Sequence, residues 1–304
     1  MTGTRCGFVA IVGAPNAGKS TLLNALVGEK VSIVTRKAQT TRSTVRGVLM
    51  RGEAQIVLVD TPGLFAPRRR LDRAMVAAAT SAAADADAIV ALIDARKEAD
   101  ASLTEETEAI LAALRDMRKP RFAALNKIDL VERPKLLEVA ARLNAALRFD
   151  ETFMVSALTG DGLDRLADRL EAIVPAGPWL YPEDQIADAP MRTLAAEITR
   201  EKLIERLHDE LPYQATVETD EWKDQADGSA RIEQTIFVTR ESHRKIVLGE
   251  GGRTIKAIGT AARQRLEAML GRRVRLELWV TVWPRWRKDP AALARLGLPL
   301  APES

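Results

Sequence analysis

The sequence has 304 residues, with 45 basic and 42 acidic side chains, two histidines and one cysteine. This length suggests two domains, and 46% apolar with 29% charged residues excludes a disordered chain. The single cysteine, Cys6, excludes a disulfide framework and a cysteine-rich zinc cluster, and it fits a reducing cytosol. No apolar run reaches the roughly 18 residues that a membrane-spanning helix needs.

The formal net charge of +3 is unevenly distributed along the chain. Residues 1–190 carry 25 basic and 25 acidic side chains, whereas residues 240–288 carry 13 basic and 4 acidic ones. The second of these segments predicts contact with phosphates or with an anionic membrane surface. A well-solvated protein surface is the alternative interpretation of the charge alone.

The first half of the chain alternates short apolar runs with helix-patterned stretches, which predicts a mainly parallel sheet with helices on both faces. The predicted strands are 7–12, 54–59, 88–93, 121–125 and 152–155. The predicted helices are 19–27, 71–83, 103–117, 135–147 and 163–173. Residues 45–50 and 54–59, with Gly52 between them, predict a hairpin, so we expect one antiparallel strand.

A Gly-rich loop follows the first predicted strand and precedes a helix, which is the setting of a phosphate-binding P-loop. The predicted nucleotide-binding residues of this loop are Gly13, Ala14, Pro15, Asn16, Ala17, Gly18, Lys19, Ser20 and Thr21. Glycines let backbone N–H groups wrap phosphate oxygens, and the helix N-terminus adds partial positive charge. We expect Lys19 to reach the β- and γ-phosphates and the Ser20 hydroxyl to bind Mg²⁺.

A second motif ends the strand 54–59 and predicts the catalytic end of the nucleotide site. It consists of Asp60, Thr61, Pro62 and Gly63. Asp60 is expected to hold Mg²⁺ through water, and the Gly63 N–H to sense the γ-phosphate. One further magnesium ligand is expected from a hydroxyl-rich segment, 31–43, which includes Ser32 and Thr35 and in which Thr41 is the first choice and Thr40 the alternate.

A third motif at the end of a buried strand selects guanine over adenine. Its residues are Asn126, Lys127 and Asp129, and the tripeptide Ser156, Ala157 and Leu158 follows the last strand. The Asp129 carboxylate can accept from both N1–H and the 2-amino group of guanine, whereas adenine would leave it unpaired. We expect Asn126 to hydrogen-bond the base, the Lys127 stem to pack on its face, and a backbone N–H of the tripeptide to meet O6.

The second half of the chain begins after a segment with four prolines, 174–190, which predicts an interdomain linker. Beyond it we predict a helix, two strands, two helices and a strand, at 191–211, 214–222, 231–239, 240–248, 254–270 and 273–282. This order resembles the one expected of a type II KH domain. The predicted bounds are 1–175 for the first domain, 176–190 for the linker, 191–285 for the second domain and 286–304 for a tail.

A G-x-x-G turn between the two helices predicts a contact with single-stranded RNA, because glycines let the backbone approach a sugar-phosphate chain. The predicted RNA-binding residues are Gly249, Glu250, Gly251, Gly252, Arg253, Lys256, Arg244 and Lys245. KH loops usually carry a basic residue between the glycines, so the acidic Glu250 is expected to weaken the phosphate contact. Trp283 and Trp286 stand among cations and suit base stacking, with packing on the domain as the alternative.

The sequence resembles the Era family of bacterial GTPases over nearly its whole length. The segments that carry the resemblance are 37–42 (KAQTTR), 60–64 (DTPGL), 181–185 (YPEDQ), 247–256 (VLGEGGRTIK) and 276–280 (LELWV). The resemblance implies an α/β P-loop GTPase domain followed by an α+β type II KH domain. It also implies Mg²⁺-dependent hydrolysis of GTP to GDP, binding to the 3′ region of 16S rRNA, and a role in 16S rRNA processing and 30S subunit assembly.

The resemblance further implies a cytoplasmic monomer with peripheral association at the cytoplasmic face of the inner membrane. Leu64 stands where many GTPases carry a water-orienting Gln, so we expect a slow intrinsic rate. Asn16 resembles the P-loop asparagine of GTPases that hold K⁺ beside the phosphates, and we hypothesise that role for it. Two alternatives remain: an RNA scaffold or checkpoint gated by nucleotide with incidental hydrolysis, and a membrane-associated signalling switch.

Overall fold

The computed structural model describes residues 3–35, 44–64, 70–100, 102–183, 185, 191–207, 211–289, 292 and 294. The chain divides into two compact units, one formed by Met1–Asp188 with 294–304 and the other by Ala189–Leu293. Within the described residues, no helix is both long enough and apolar enough to cross a membrane.

The first unit contains a six-stranded sheet. Its strands are β1 (Arg5–Gly13), β2 (Val45–Arg51), β3 (Ala54–Asp60), β4 (Ala88–Asp94), β5 (Arg121–Asn126) and β6 (Glu151–Met154). They lie in the order β2-β3-β1-β4-β5-β6, and only β2 runs antiparallel to its neighbour. The predicted parallel sheet and its antiparallel hairpin are therefore confirmed.

Helices cover both faces of this sheet. They are α1 (Lys19–Val27), α2 (Arg70–Asp85), α3 (Glu105–Leu114), α4 (Arg133–Ala146) and α5 (Leu163–Ile173). Successive side chains of a strand point to opposite faces. Val9 and Ile11 of β1 accordingly pack in one core with side chains of α1 and α5, and Ala10 and Val12 pack in the other with side chains of α2, α3 and α4.

The parallel strands place the three nucleotide motifs at one edge of the sheet. Gly13, Asp60 and Asn126 are the last residues of β1, β3 and β5. Because these strands run in the same direction, their carboxyl ends meet at that edge, where open α/β sheets bind ligands. The fold therefore brings together residues that lie far apart in the sequence.

The second unit has the predicted α-β-β-α-α-β order. Its elements are α6 (Met191–Arg206), β7 (Ala215–Asp224), β8 (Ala230–Val238), α7 (Glu241–Leu248), α8 (Arg253–Leu270) and β9 (Val274–Val282). The strands lie in the order β7-β8-β9, with β7 antiparallel and β9 parallel to β8. Alternate residues of β8 are buried, so one face of this sheet carries the core beneath the helices.

Two details of the second unit differ from the sequence prediction. The helix predicted over 191–211 ends at Arg206, and a short 3-10 turn covers Leu211–Gln214. Leu207 and Leu211 both lie in the core although neither belongs to the helix. Base stacking by Trp286 is also wrong, because its indole is fully buried and donates its N–H to the Gln214 carbonyl at 3.3 Å.

The first part of the predicted linker is attached to the sheet of the first unit. The Gln55 side chain on β3 is fully buried. Its amide donates to the Tyr181 carbonyl at 2.8 Å and accepts from the backbone N–H groups of Leu180 and Tyr181 at 2.8 and 3.0 Å. The Trp179 indole donates to the Glu53 carbonyl at 3.1 Å. Residues 179–181 are therefore fixed to β3 rather than free.

Candidate nucleotide site and candidate RNA interface

A cavity of about 640 Å³ opens at the carboxyl edge of the first sheet. Of the predicted nucleotide residues, those that line it are Pro15, Asn16, Gly18, Lys19, Ser20, Thr21, Gly63, Asn126, Lys127, Asp129, Ser156, Ala157 and Leu158. Residues that line it without having been predicted are Ile33, Val34, Arg96 and Leu130. The volume suits a nucleotide, since ligand pockets span roughly 300–1,000 Å³.

Close packing around the P-loop explains its glycines. A side chain at Gly13 would meet the Leu92 carbonyl oxygen at 2.5 Å, which is too close for any Cβ. A side chain at Gly18, where φ is +102°, would meet the Asn126 amide at 2.4 Å. The loop also contains Asn16 in the left-handed region, at φ 63°. These positions turn the backbone around the cavity, as phosphate binding requires.

Lys19 is held at the base of the loop. Its ammonium donates to the carbonyl oxygens of Gly13 and Ala14 at 3.1 and 2.9 Å. Burial lowers the pKa of Lys19 from 10.5 to about 8, and the opposing attraction of Asp60 and Glu106 is smaller. A phosphate in the cavity would therefore meet a buried cation whose charged form it favours.

The predicted magnesium residues lie close together. The Ser20 hydroxyl donates to Asp60 Oδ2 at 2.6 Å, and Asp60 is fully buried. A hydroxyl and a carboxylate are the hard oxygen donors that Mg²⁺ prefers, so these residues fit the ion. Because Mg²⁺ usually keeps several waters and binds substrate phosphates, phosphate and water would supply further ligands.

The third predicted magnesium ligand, Thr41, and its alternate, Thr40, lie outside the described residues. The structure instead shows another hydroxyl of the same segment at the carboxylate. Ser32 is buried and donates to Asp60 Oδ2 at 2.8 Å. Its position among several hydroxyls was visible in the sequence, but no local pattern singled it out.

The Asp60–Gly63 motif packs directly on the P-loop. The Thr61 hydroxyl donates to the Ile11 carbonyl at 2.8 Å, so this side chain is structural. A side chain at Gly63 would meet the Pro15 nitrogen at 2.8 Å, and the Leu64 N–H donates to the Gly13 carbonyl at 3.0 Å. Leu64 itself is buried, and its apolar side chain cannot orient water.

The base motif ties the loops of the cavity together. The Asn126 amide donates to the Ala17 carbonyl at 2.8 Å and accepts from the Ala157 N–H at 2.9 Å. Both polar ends of this side chain thus bridge neighbouring loops, a role that the sequence did not predict. The Ser156 N–H donates to the Asp161 carbonyl at 2.9 Å. Asp129 is exposed at the cavity, where its carboxylate can meet a base.

Lys127 is fixed by a partner that sequence reasoning missed. Its backbone is left-handed, at φ 65°, and its ammonium donates to the Asn16 carbonyl at 2.8 Å and to Asp94 Oδ2 at 2.6 Å. Asp94 ends β4 and is buried. An aspartate that ends a buried strand is the same signal that identified Asp60, so Asp94 could have been found.

The G-x-x-G turn has the open backbone that an RNA contact needs. Gly249, Gly251 and Gly252 all have positive φ, at 72°, 58° and 75°. A side chain at Gly249 would meet the Thr254 hydroxyl at 2.2 Å, whereas Gly251 and Gly252 face open space. Helix α8 begins at once, at Arg253, so its N-terminus lies at this exposed turn.

Two of the four predicted RNA-binding cations already have acidic partners. Arg253 forms an ion pair with Glu250, and Arg244 pairs with Glu241 at 3.1 Å while donating to the Val280 carbonyl. The remaining cations, Lys245 and Lys256, are exposed. Desolvation, aided by Arg240, lowers the pKa of His243, so this side chain adds no charge here near neutral pH.

Of the apolar side chains around the turn, Val247 and Ile258 are fully buried and belong to the core. Ile246, by contrast, is 54% exposed on α7. Trp283 packs edge-on against Phe237, with ring centroids 5.2 Å apart. Ile246 therefore contributes exposed apolar surface near the turn.

Comparisons with family models match the two units separately. Residues 8–127 match the family described as 50S ribosome-binding GTPase, and residues 210–287 match the KH domain. Among proteins, the GTPase Era of Afipia carboxidovorans is 60% identical over 295 residues, covering 97% of this chain and 94% of that protein. The GTPase Era of Brucella suis biovar 1 is 57% identical over 297 residues, covering 98% and 94%.

Two solved structures are similar to this chain over nearly its whole length. One is a crystal structure of an Aquifex aeolicus Era variant bound to GDP·AlF4⁻, which has a TM-score of 0.91 and 39% sequence identity. The other is a crystal structure of Era with MgGDPNP and nucleotides 1506–1542 of 16S ribosomal RNA, with the same two values. Each similarity covers 97% of this chain and 99% of the other.

Proposed function

Because the chain belongs to the Era family of GTPases, we propose that it couples GTP binding and hydrolysis to the binding of ribosomal RNA. Its target is the 3′ region of 16S rRNA, held by the second unit, and its role is in 16S rRNA processing and 30S subunit assembly. The observation that carries the proposal is the edge of the sheet at which the P-loop, Asp60 and the Asn126–Asp129 motif meet, where the cavity opens.

The residues at this edge divide the chemistry of GTP hydrolysis between them. Lys19 and the P-loop backbone bind and orient the phosphates, and Ser20 and Asp60 hold Mg²⁺, which when bound neutralises phosphate charge. Asp129 selects guanine. Since Leu64 cannot orient water, the attacking water is positioned by backbone, by a switch threonine such as Thr41, or by a partner, so the intrinsic rate is slow.

Multiple-turnover hydrolysis of GTP tests this function, measured with and without an RNA that matches nucleotides 1506–1542 of 16S rRNA. The proposal expects slow hydrolysis that Lys19→Ala abolishes, and RNA binding that Gly252→Asp weakens while GTP binding is kept. Gly252→Asn is the matched control, because it has the same shape without the charge. Nucleotide-dependent RNA binding without any turnover would favour the alternative of a scaffold with incidental hydrolysis.

We also propose that Asn16 holds K⁺ beside the phosphates. Its side chain is exposed and lines the cavity, and an amide oxygen is a suitable ligand for a hard cation. Faster turnover in K⁺ than in Na⁺, lost in Asn16→Ala, is the expected result. Equal rates in the two salts would contradict this role.

The location of the protein is proposed to be the cytoplasm, with peripheral association at the inner face of the membrane. The support is the positive charge of residues 240–288, which can meet anionic lipid as well as RNA. Flotation with anionic liposomes tests the association, and competition by the rRNA fragment tests whether both ligands use the same charge. An absence of flotation at low salt would restrict the location to the cytoplasm.

A further inference from the structure

Ser32 is a buried hydroxyl for which the proposed mechanism has no use. It lies after α1, in the segment that lines the cavity at Ile33 and Val34, and is 2% exposed. Its hydroxyl donates to Asp60 Oδ2 at 2.8 Å, the same oxygen that accepts from Ser20 at 2.6 Å. Two hydroxyls from different parts of the chain thus converge on one carboxylate oxygen.

The position of Ser32 is itself fixed by a side chain of α1. Asn24 accepts from the backbone N–H groups of Val31 and Ser32 at 2.9 and 2.8 Å, and donates to the Ser32 carbonyl at 2.7 Å. These three bonds hold the backbone on both sides of the Ser32 Cα. The backbone that carries the hydroxyl towards Asp60 is therefore held in place by Asn24.

The two hydroxyls cannot be equivalent once a metal is present. Ser20 is the predicted direct ligand, so its oxygen is shared between the ion and Asp60. Ser32 bonds only the carboxylate in this network, so its bond can hold the Asp60 orientation without competing for the ion. Mg²⁺ demands near-ideal octahedral geometry, and groups that orient a ligand from behind affect metal affinity strongly.

We propose that Ser32 is a positioning residue for the magnesium site, which orients the Asp60 carboxylate from the segment that follows α1. The proposal rests on the proposed nucleotide function, since it assumes that Asp60 serves Mg²⁺ in a nucleotide complex. It goes beyond that function by assigning metal affinity to a residue outside the three nucleotide motifs.

The test is the release of a fluorescent GDP analogue from the full chain at graded Mg²⁺ concentrations and in EDTA. Ser32→Ala is compared with the wild type and with Ser81→Ala, which removes an exposed hydroxyl on α2 that bonds Asp85. We expect Ser32→Ala to raise the Mg²⁺ concentration for half-maximal slowing of release by about tenfold. Release in EDTA should match the wild type, and Ser81→Ala should behave as the wild type throughout.

Two results would overturn the proposal. One is an unchanged Mg²⁺ midpoint in Ser32→Ala. The other is release that quickens by the same factor with and without Mg²⁺, because this would show a purely structural role in the segment 31–35. If Ser32→Ala does not fold, Ser32→Cys, which keeps the volume with a weaker donor, is measured instead against the same two criteria.

A failure of the proposed nucleotide function would look different. In that case the wild type and Ser81→Ala would themselves release GDP at a rate independent of Mg²⁺, or would not bind it. The proposal for Ser32 would then also be wrong. The wild type and Ser81→Ala would already show that the nucleotide function had failed, before any Ser32 variant was measured.

Discussion

At the scale of single residues, the burial of Lys19 links nucleotide binding to pH. The pKa of this ammonium is lowered to about 8 by burial, and phosphate binds its charged form. Between pH 8 and 10.5, Lys19 is protonated in the unfolded chain but not in the folded chain. Burial of Lys19 therefore lowers the free energy of unfolding below pH 8, and this loss disappears as the pH rises to 10.5.

Nucleotide affinity should therefore fall as the pH rises through 8. We expect GDP to bind about fivefold more weakly at pH 8.7 than at pH 7, because fewer molecules carry charged Lys19. Titration calorimetry across this range measures the effect. Lys19→Arg is the control, because arginine stays charged over this range and any titration of the guanine base affects both proteins equally. An equal pH dependence of GDP affinity in both proteins would contradict the assignment to Lys19.

Asp94 offers a second test at this scale, because it holds the Lys127 ammonium at 2.6 Å while 3% exposed. Asp94→Asn removes the charge but keeps the shape, so Lys127 should lose its orientation against the base. We expect GDP affinity to fall about tenfold, because the substitution breaks a partly buried ion pair. Equilibrium binding of labelled GDP measures it, with Asp85→Asn on the exposed face of α2 as the control. An unchanged GDP affinity in Asp94→Asn would show that the contact of Lys127 with the base does not depend on its ion pair with Asp94.

Motif residues were predictable from sequence because spacing alone identifies them, as for Lys19, Asp60 and Asp129. Ser32 was not, because its hydroxyl reaches Asp60 only through the clamp that Asn24 makes on the following loop. The hydrogen bonds by which Asn126 bridges two loops were not predicted, for the same reason. Both contacts depend on which loops the sheet brings together, and no local pattern records that.

At the scale of elements, the attachment of the linker to β3 is the feature with the clearest consequence. The Gln55 amide satisfies three backbone groups of Leu180 and Tyr181. Gln55→Leu keeps a similar volume but leaves those groups without this partner, which costs about 2 kcal/mol if they stay in place. Since residues near 180 are partly exposed, the segment should instead detach and take up water.

Limited digestion with chymotrypsin measures the detachment, because the enzyme cleaves after Trp179 and, less readily, after Leu180. Gln55→Leu should be cut here several-fold faster than the wild type. Gln225→Leu, in an exposed turn of the second unit, is the control and should be cut at the wild-type rate. Equal cutting of all three proteins would show that Gln55 does not hold the linker.

The G-x-x-G turn supplies the second prediction at this scale. Glu250 and Arg253 form an exposed pair, with side chains 87% and 76% exposed, and such pairs contribute little. The main effect of Glu250 on RNA is therefore repulsion of phosphate rather than sequestration of Arg253. Glu250→Gln should bind single-stranded RNA two- to fivefold more tightly at about 0.1 M salt, with less gain at high salt.

Filter binding with labelled RNA at two salt concentrations measures this change. Glu205→Gln, on the exposed surface of α6, removes the same charge far along the chain and should leave RNA affinity nearly unchanged. Weaker binding by Glu250→Gln would show that Glu250 supports the turn instead of opposing the phosphate.

The elements themselves were largely predictable, because the strands and helices of both units carry strong periodicity. The exception is the end of α6. Its apolar pattern continues to Leu211, yet the helix ends at Arg206 while Leu207 and Leu211 are both still buried. Periodicity records which residues are buried, but not whether one helix or a turn buries them.

At the scale of the whole molecule, the segments that differ in charge carry different candidate binding sites. The first unit, with balanced charge, carries the cavity for guanine nucleotide, and the basic segment 240–288 carries the G-x-x-G turn. The division into two units was predictable from length and from the proline-rich segment. The choice between base stacking and packing for Trp286 stayed open in the sequence, because the burial of this side chain depends on its contact with Gln214.

The central claim is that nucleotide in the first unit controls RNA binding by the second. Asp129→Asn tests it, because an asparagine should exchange guanine for xanthine, whose additional oxygen accepts from the amide. The measurement is the affinity of the whole chain for the 16S rRNA fragment in the presence of GTP or XTP analogues and of GDP or XDP. The account predicts that RNA affinity follows the guanosine nucleotide in the wild type and the xanthosine nucleotide in Asp129→Asn. An RNA affinity that is the same in every nucleotide, in both proteins, would contradict it.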